Sequence, residues 1–422
     1  MKKETIAIQY GYTKDSSQSM AVPIYQTSAY EFTSSTQAAE RFALKDIGNI
    51  YTRLTNSTNE ILENRLAKLE GGVSGLVTSS GQAAIFYAIT NLAQSGDNIL
   101  FSNKIYGGSV TLISHTLKRF GIQGRKFELN NIQQMESLID GKTKAIFFES
   151  LSNPQIAIAD IEEIVKIAQK HGIITICDNT IPTPFLCNPI SFGCDIVVHS
   201  TSKYIGGQGL SIGGVVIERE GLNEFFKTNQ RYSHFNEPDS SYHGLIYSSL
   251  PLPCFNLRIR LALLRDIGAC ASPFNSWTII QGLETLSLRI KEHSKNALLI
   301  AKFLENHKNV TKVNYPSLES NQYYNLSKKY LQNGLSSGLL SFEIKGSFDD
   351  AKKVQDSTKI FNVVVNIGDT KSIITHPAST THSQLSSDEL ESSDVKENLI
   401  RLSVGIENVD DLIEDLENAL KY

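Results

Sequence analysis

The residues best suited to chemistry lie in a turn near the middle of the chain, where an apolar run leads into Ser200-Thr-Ser-Lys203 and a glycine-rich segment. A lysine held in such a turn loses part of its hydration. This disfavours the ammonium form and leaves a neutral amine that can form a Schiff base with a carbonyl. Ser200 and Ser202 place hydroxyl donors beside it. Because a lysine in a turn is ordinarily a solvated surface residue, this interpretation depends on agreement with other sites.

A second candidate site lies where a short strand meets the start of a helix, in Thr78-Ser-Ser-Gly81-Gln82. Free backbone N–H groups and the positive end of the helix dipole at such a junction can bind a phosphate. Glycine also begins helices for reasons of turn geometry alone. The motif is therefore weak in isolation and gains weight only beside the lysine turn.

A third candidate, Asp178, follows the buried run Ile173 to Cys177, and ligands of open α/β sheets bind at the carboxyl ends of strands. An aspartate there can equally cap a turn. Beside a Schiff-base lysine it indicates a pyridoxal phosphate site, in which the acid faces the ring nitrogen. Opposite charges about 4 Å apart at an effective dielectric near 20 attract by roughly 4 kcal/mol, enough to keep the ring protonated. Tyr106 follows another strand and can stack on the ring, although single tyrosines are more often packing residues.

These sites need a scaffold, and the apolar pattern predicts an α/β fold. Between residues 59 and 217 helical and strand signals alternate, as is typical of parallel β-α-β units. The strand-like runs are 75–78, 98–102, 145–149, 173–177, 196–199 and 213–217. After Phe255 the pattern changes to helices, then short strands at 339–344, 373–376 and 401–404 and a closing helix at 410–420. We expect an extended arm over residues 1–58, a large domain over 59–255 and a smaller α+β domain over 256–422.

Composition excludes several classes of function. Forty Lys and Arg against 44 Asp and Glu give a net charge of −4, which argues against a nucleic-acid or anionic membrane partner. No run reaches the roughly 18 apolar residues of a membrane span and no signal peptide is evident, so we expect a cytoplasmic protein. The five cysteines form no C-x-x-C pair and are expected to be buried free thiols rather than disulfides or metal ligands.

Several separated motifs jointly resemble the transsulfuration enzymes, a family that uses pyridoxal phosphate in cysteine and methionine metabolism. The resemblance covers about residues 5–420 and is carried by Ala21-Val-Pro-Ile-Tyr-Gln-Thr, Tyr51-Thr-Arg-Leu-Thr-Asn, Leu69-Glu-Gly-Gly, Ser150-Leu-Ser-Asn-Pro, Asp178-Asn-Thr and His199-Ser-Thr-Ser-Lys-Tyr. It implies the aspartate-aminotransferase-like (type I) fold. In that fold a mostly parallel seven-stranded sheet forms the large domain and a smaller α+β domain follows it.

The resemblance also implies roles for individual residues. The catalytic residues would be Lys203 as the cofactor-bearing amine, Asp178 as the partner of the ring nitrogen and Tyr106 as the ring cover. Further cofactor contacts would come from Gly81, Gln82, Asn153, Thr180, Ser200 and Ser202, and from Tyr51 and Arg53 reaching into a neighbouring subunit. The substrate would be bound by Asn153, Ser372, Thr381 and Arg401. Such sharing makes a dimer the smallest active unit, and the homotetramer common in the family is the expected assembly.

Arg401 has support from its own strand pattern as well. Strict alternation sends Leu402 and Val404 to one face and Arg401 and Ser403 to the other. A planar guanidinium suits bidentate binding of an amino-acid carboxylate. A salt-bridged surface arginine is the ordinary alternative.

Within the family, the segment from Gly368 to Leu385 resembles the branch that acts on O-acetylhomoserine. We expect a small-molecule reaction, in which sulfide or methanethiol displaces acetate from this amino acid and gives homocysteine or methionine. Methionine γ-lyases usually carry a cysteine after the ring-stacking tyrosine, where this chain has Gly107. Replacement is therefore favoured over elimination, with cystathionine γ-synthase and methionine γ-lyase activities as alternatives. Ser57, Ser202 and Gln208 depart from the family pattern.

Two other classes of protein were weighed against an enzyme of this kind. An inactive scaffold has no chemical need for both Lys203 and Asp178. Ser200 and Lys203 also satisfy the S-x-x-K pattern of penicillin-binding enzymes, but the chain lacks the S-D-N and K-T-G motifs that this mechanism requires.

Overall fold

The protein is represented by a computed structural model that describes residues 1–380 and 396–421. Its large sheet contains β1 (Ser74–Thr78), β2 (Asn98–Ser102), β3 (Gln123–Phe127), β4 (Thr143–Glu149), β5 (Ile174–Asp178), β6 (Ile196–Ser200) and β7 (Gly214–Glu218). The strands lie in the order β1-β7-β6-β5-β4-β2-β3. Neighbours are parallel except at β7, which runs antiparallel to β1 and β6. The predicted α/β fold with a mostly parallel seven-stranded sheet is confirmed.

A second, smaller sheet follows later in the chain. It contains β8 (Val310–Asn314), β9 (Leu339–Ile344), β10 (Asn362–Val363), β11 (Ile373–Thr375) and β12 (Leu399–Ser403), in the order β10-β11-β12-β9-β8. Antiparallel pairing of β12 with both β9 and β11 builds its centre. Three of these strands match predicted segments, whereas β8 and β10 were not predicted.

Helices cover the sheets and connect their strands. They are α1 (Lys3–Gln9), α2 (Ser35–Phe42), α3 (Ser57–Glu70), α4 (Gly81–Thr90), α5 (Gly107–Thr111), α6 (Ile132–Ser137), α7 (Ile161–Lys170), α8 (Thr183–Leu186), α9 (Leu222–Thr228), α10 (Cys254–Arg258), α11 (Arg265–Ile267), α12 (Pro273–Glu305), α13 (Tyr324–Tyr330), α14 (Phe348–Ser357) and α15 (Val409–Ala419). Wider π-helical turns continue α5 over Leu112–Thr116 and α10 over Ile259–Leu264.

The ends of α3 and α4 follow from local sequence. The side chain of Asn56 accepts the backbone N–H of Thr58 at 3.0 Å and so caps α3, which ends at Gly71 in the left-handed region with φ of 81°. Ser80 accepts the N–H of Ala83 at 3.1 Å and caps α4 in the same way. These two caps fix the helices that enter and leave the strand β1.

Apolar side chains pack on both faces of the large sheet. On one face α3, α7 and the first half of α12 contribute to a single buried cluster. On the other face α4 packs with the aromatic residues Phe226, Phe235 and Phe255. A third cluster lies between the smaller sheet, the second half of α12, α14 and α15. The change of packing partner thus falls within one continuous helix, α12, and the division of the chain into domains after residue 255 stays a prediction.

The sequence predicts an extended arm over the first 58 residues. The structure differs in part, because this segment includes the helices α1 and α2. Ile6 and Ala7 of α1 are buried in the core of the large sheet. The guanidinium of Arg65 in α3 donates to the carbonyl oxygens of Tyr10 at 2.8 Å and Ala7 at 3.0 Å. The start of the chain therefore packs on its own subunit, and the contribution of this segment to a neighbouring subunit stays a prediction.

Two further findings bear on the sequence-based expectations. All five cysteines are free and four of them are buried, which confirms the thiol prediction. Within the described part of the chain, no helix is both long and apolar enough to cross a membrane.

Candidate functional site

A cavity of about 280 Å³ opens where the carboxyl ends of β4, β5 and β6 meet the start of α4 and the smaller sheet. It lies at the edge of the parallel sheet at which α/β proteins bind ligands. Most of the predicted site residues line it together, namely Gly81, Gln82, Tyr106, Asn153, Asp178, Thr180, Ser200, Ser202, Lys203 and Arg401. Residues more than 300 positions apart in the sequence thus share one cavity.

Lys203 lies in the turn after β6 and extends its amine into this cavity. Its Nζ donates a hydrogen bond to Oδ1 of Asn366 at 2.6 Å. Burial lowers the pKa of the Lys203 amine, and the nearby Arg401 guanidinium lowers it further. Both effects favour the neutral amine, which is the form that attacks a carbonyl.

The start of α4 forms a cradle for an anion. The backbone N–H groups of Gly81 and Gln82 donate to no described residue, as expected for the first turn of a helix. A Cβ atom at Gly81 would lie 2.7 Å from Cβ of Ser200, so only glycine lets the helix approach the end of β6 this closely. The hydroxyl of Ser202 is held by Gly213, whose N–H it accepts at 3.0 Å. This arrangement fits a phosphate group.

Asp178 ends β5 as a half-buried carboxyl that forms no ion pair with any described residue. Its Oδ1 accepts the N–H of Thr180 at 3.0 Å and the hydroxyl of Thr180 at 2.5 Å. Burial raises the pKa of Asp178, while the two bonds from Thr180 and the nearby His199 lower it. A carboxyl fixed in this way at a cavity wall is suited to a cationic ring nitrogen, so the residues present fit pyridoxal phosphate.

Arg401 projects from β12 of the smaller sheet and is 5% exposed. Its guanidinium donates to Oδ1 of Asn153, the carbonyl oxygen of Asn366 and the hydroxyl of Thr375, each at 3.1 Å. Burial lowers the pKa of Arg401 to about 10. All three partners are neutral, and the guanidinium pairs with none of the described carboxylates. It is therefore available to the carboxylate of an amino acid.

Tyr106 stands at the start of α5 with its side chain about half exposed at the cavity. Tyr51 and Arg53 do not line the cavity of their own chain. The Arg53 guanidinium lies 5.2 Å from the centroid of the Tyr51 ring, and that ring is 42% exposed. An exposed pair away from its own cavity agrees with the resemblance, which assigns both residues to a neighbouring subunit, and this role stays a prediction.

One of the predicted substrate residues, Ser372, is not found at the cavity. Ser372 is buried, donates its hydroxyl to Glu407 at 2.9 Å and accepts the N–H of Gly405 at 2.8 Å. Its side chain therefore joins two segments of the smaller sheet region and is not among the cavity residues. Thr381 lies outside the described residues.

Sequence reasoning did not assign three polar residues of the cavity to the site, namely Ser80, Glu149 and Asn366. Glu149 ends β4 directly beside Asp178 in the register of the sheet. The rule that singled out Asp178, a carboxylate at the end of a buried strand, applies to Glu149 equally and could have found it. Asn366 follows three valines in a loop whose course no local pattern shows. No group of three or more potential metal ligands occurs in the described residues.

Comparison with known proteins agrees with this geometry. The model of the Cys/Met metabolism PLP-dependent enzyme family matches residues 4–421. O-acetyl-L-homoserine sulfhydrylase of Leptospira meyeri is 44% identical over all of this chain and 97% of its own length. Homocysteine synthase of Schizosaccharomyces pombe is 40% identical over 99% of this chain and 98% of its own.

A solved structure extends the agreement to the fold. The crystal structure of a putative O-acetylhomoserine (thiol)-lyase from Campylobacter jejuni superimposes with a TM-score of 0.98 at 54% identity over the whole of both chains. That structure contains N'-pyridoxyl-lysine-5'-monophosphate, a lysine joined to the cofactor. With its lysine, aspartate and anion cradle in one cavity, this chain belongs to the Cys/Met metabolism family of enzymes that depend on pyridoxal phosphate.

Proposed function

We propose that the enzyme catalyses replacement at Cγ of O-acetyl-L-homoserine, in which sulfide or methanethiol displaces acetate and yields homocysteine or methionine. The observation that carries this proposal is the link between Lys203 and Arg401 through a single residue. The side chain of Asn366 holds the amine and its backbone oxygen holds the guanidinium. A small amino acid whose carboxylate binds Arg401 therefore presents its Cα near the lysine.

The roles of the residues follow from these positions. Arg401 binds the α-carboxylate, and Lys203 Nζ accepts the proton from Cα and later a proton from Cβ. Asp178 holds the proton on the ring nitrogen, and Gly81 and Gln82 bind the phosphate through their N–H groups. Pyridoxal phosphate, when bound, supplies the electron sink for the carbanion. Loss of these protons allows acetate to leave from Cγ and the sulfur nucleophile, as hydrosulfide or thiolate, to add there. Lys203 then returns one proton to Cβ and one to Cα, so that the product keeps both hydrogens and the amine ends neutral.

The names of the relatives support this choice of substrate, since O-acetylhomoserine appears in those from Leptospira meyeri and Corynebacterium glutamicum. The second of these relatives is 42% identical over 99% of this chain. The test is to incubate the purified protein with O-acetyl-, O-succinyl- or O-phosphohomoserine, each with sulfide and with cysteine. We expect homocysteine and acetate from the acetyl ester and sulfide. Release of 2-oxobutyrate and ammonia alone would instead assign an elimination, and cystathionine from cysteine would assign the synthase alternative.

We also propose that two subunits share each site and that two such dimers form a homotetramer in the cytoplasm. The exposed Tyr51–Arg53 pair, away from the cavity of its own chain, supports the sharing. Mixed refolding of Arg53→Ala and Lys203→Ala chains tests it, because a hybrid dimer retains one intact site. We expect the mixture to recover up to about a quarter of the native activity per chain, whereas independent sites would give no recovery. Light scattering of the native protein measures the assembly.

A further inference from the structure

The buried Glu149 and the half-buried Asp178 form a pair of acids in the wall of the cavity. They end the neighbouring parallel strands β4 and β5 and are directly paired in the sheet register. Paired residues of adjacent strands present their side chains to the same face, so both carboxyls enter one cavity. Glu149 is 5% exposed.

The hydrogen bonds of this pair are unequal. Asp178 receives a hydroxyl and an N–H from Thr180, both on Oδ1. Glu149 receives backbone groups only, the N–H of Tyr106 at 2.6 Å and that of Asn153. No lysine, arginine or histidine within residues 1–380 and 396–421 forms an ion pair with Glu149.

The two basic side chains of the cavity form hydrogen bonds with residues other than Glu149. Lys203 donates to the side chain of Asn366, and Arg401 donates to Asn153, Asn366 and Thr375. The groups that face Glu149 are thus the two backbone N–H groups from α5 and the loop after β4, and the Asp178 carboxyl from β5. A cationic cofactor ring can balance one negative charge on this pair of acids, but it cannot balance two negative charges.

Electrostatics decides which of the two acids holds the proton. Burial, and then the charge of Asp178, raise the pKa of Glu149 well above its usual range, and the two backbone bonds offset this only in part. The bonds from Thr180 hold Asp178 closer to its ionised form. The neutral acid of the pair is accordingly Glu149.

We propose that Glu149 is a protonated, neutral member of the cofactor site, which donates a hydrogen bond into the cavity and leaves the single negative charge of the pair on Asp178. This proposal rests on the family's cofactor but not on the proposed substrate, so failure of the substrate assay leaves it standing. It also explains how Tyr106 is fixed over the cavity, because a carbonyl oxygen of the neutral acid suffices to accept its N–H.

The first experiment is infrared difference spectroscopy of the cofactor-loaded enzyme at pH 7. We expect the C=O stretching band of a protonated carboxylic acid in the native protein, and its loss in Glu149→Gln. Glu218→Gln serves as the matched control, because Glu218 is a buried carboxyl at the opposite edge of the sheet. If Glu149→Gln removes carboxylate bands instead, Glu149 is ionised and the proposal is wrong.

The second experiment follows the visible absorption of the bound cofactor as a function of pH. Replacing a neutral acid by a neutral amide keeps the charge of the site. The pH at the midpoint of the absorption change should therefore differ between Glu149→Gln and the native protein by less than about 0.5 pH unit. An ionised Glu149 would place a second negative charge in the wall of the cavity that would hold the cofactor, and its loss would shift the midpoint by more than about one pH unit. Asp178→Asn, which removes a real charge, is the positive control. A shift above about 0.5 unit in Glu149→Gln overturns the proposal.

A third measurement needs no substitution and remains valid if the variant does not fold. The native protein is labelled with ¹³C-glutamate for this infrared measurement. The C=O stretching band of a protonated glutamate that donates a hydrogen bond into the cavity must change frequency when the cofactor is removed. The band of Glu218 should not move. An unchanged spectrum after complete removal of the cofactor contradicts the proposed hydrogen bond.

Discussion

The two edges of the large sheet carry similar acids in different surroundings. At the edge facing the cavity, the half-buried Asp178 and the buried Glu149 form no ion pair with any described residue. At the opposite edge, Asp195 accepts the N–H and hydroxyl of Thr175, both at 2.8 Å, and pairs with Arg219 at 2.8 Å. Asp195 thus has its hydrogen bonds and its counter-ion within the chain, whereas the two acids at the cavity lack a counter-ion at a place that a ligand can reach.

The direction of the strands explains why the edge facing the cavity, here called the open edge, is the functional one. Parallel strands place all their carboxyl ends, and the start of α4, at one side of the sheet. Neighbouring strand ends therefore bring their last side chains together without any need for long loops. The opposite edge, here called the closed edge, contains the first residues of these strands. There Asp195 precedes β6 and Glu218 ends the antiparallel strand β7. Predictions that distinguish the two edges test this interpretation.

The largest effect is expected at the open edge from Lys203→Ala. Loss of the amine removes both the attachment point of the cofactor and the base that moves the substrate protons. We therefore expect turnover with O-acetylhomoserine and sulfide to fall by about 10³-fold or more. Lys308→Ala, which removes an exposed lysine elsewhere, is the control and should retain turnover. Full activity in the Lys203 variant would place the chemistry at another group.

The second prediction compares one aspartate from each edge. Asp178→Asn keeps a side-chain acceptor for Thr180 but loses the charge, and we expect kcat to fall by about 10²- to 10³-fold, since a charge pair at this range contributes about 4 kcal/mol. Asp195→Asn breaks the pair with Arg219, and we expect it to lower the free energy of unfolding by about 1–3 kcal/mol while kcat per folded molecule changes less than about twofold. Steady-state kinetics and urea unfolding of both variants measure the two effects. A loss of kcat in both would remove the distinction between the edges.

The third prediction concerns the pH dependence of stability at the closed edge. Burial raises the pKa of Glu218 from 4.5 to about 8, although its oxygens accept the N–H groups of Phe255 at 3.1 Å and Asn256 at 2.9 Å. A raised pKa means that the contribution of this acid to stability is complete below pH 4.5 and is lost as the pH rises towards 8.

Glu218→Gln removes this titration but leaves one of the two N–H donors facing an amide NH₂ group. We expect the variant to be less stable than the native protein by about 1–3 kcal/mol at pH 5, with the difference narrowing at pH 9. Chemical unfolding at both pH values measures it. A difference that stays constant between pH 5 and pH 9 would show that Glu218 is already ionised at pH 5 in the folded protein.

Several parts of the molecule were accessible from sequence because their signals are local. Lys203 and Asp178 each follow an apolar run of strand length, and the helix after Gly81 has a regular apolar face. The strand β3 was missed because its residues, Gln-Gly-Arg-Lys-Phe, are mostly polar, as an edge strand with one exposed face allows. The packing boundary within α12 was missed because a continuous helix gives no signal where its partner changes.

The remaining site residues depend on tertiary pairing. Asn366 and Ser372 lie six residues apart, and the motif alone cannot show which of them faces the cavity. Pairing of β11 with β12 places Thr375 opposite Arg401 and carries the preceding loop past the lysine. Asn366 then contacts Lys203, whereas Ser372 turns towards Glu407. Side-chain direction was the missing information, not residue type.

The smallest effect on activity is accordingly expected from Ser372→Ala. This variant tests whether the serine binds substrate or only supports the fold of the smaller sheet region. Its hydroxyl joins Glu407 and the N–H of Gly405, so its loss should lower the free energy of unfolding by about 1–2 kcal/mol. The KM for O-acetylhomoserine should change by less than about threefold, because the side chain does not line the cavity. Asn366→Ala, which removes the cavity side chain six residues earlier, is the contrast and should reduce kcat/KM by at least tenfold. A large rise in KM for Ser372→Ala with unchanged stability would return this serine to the substrate site that the family resemblance implies, because a framework hydroxyl cannot affect binding without affecting folding.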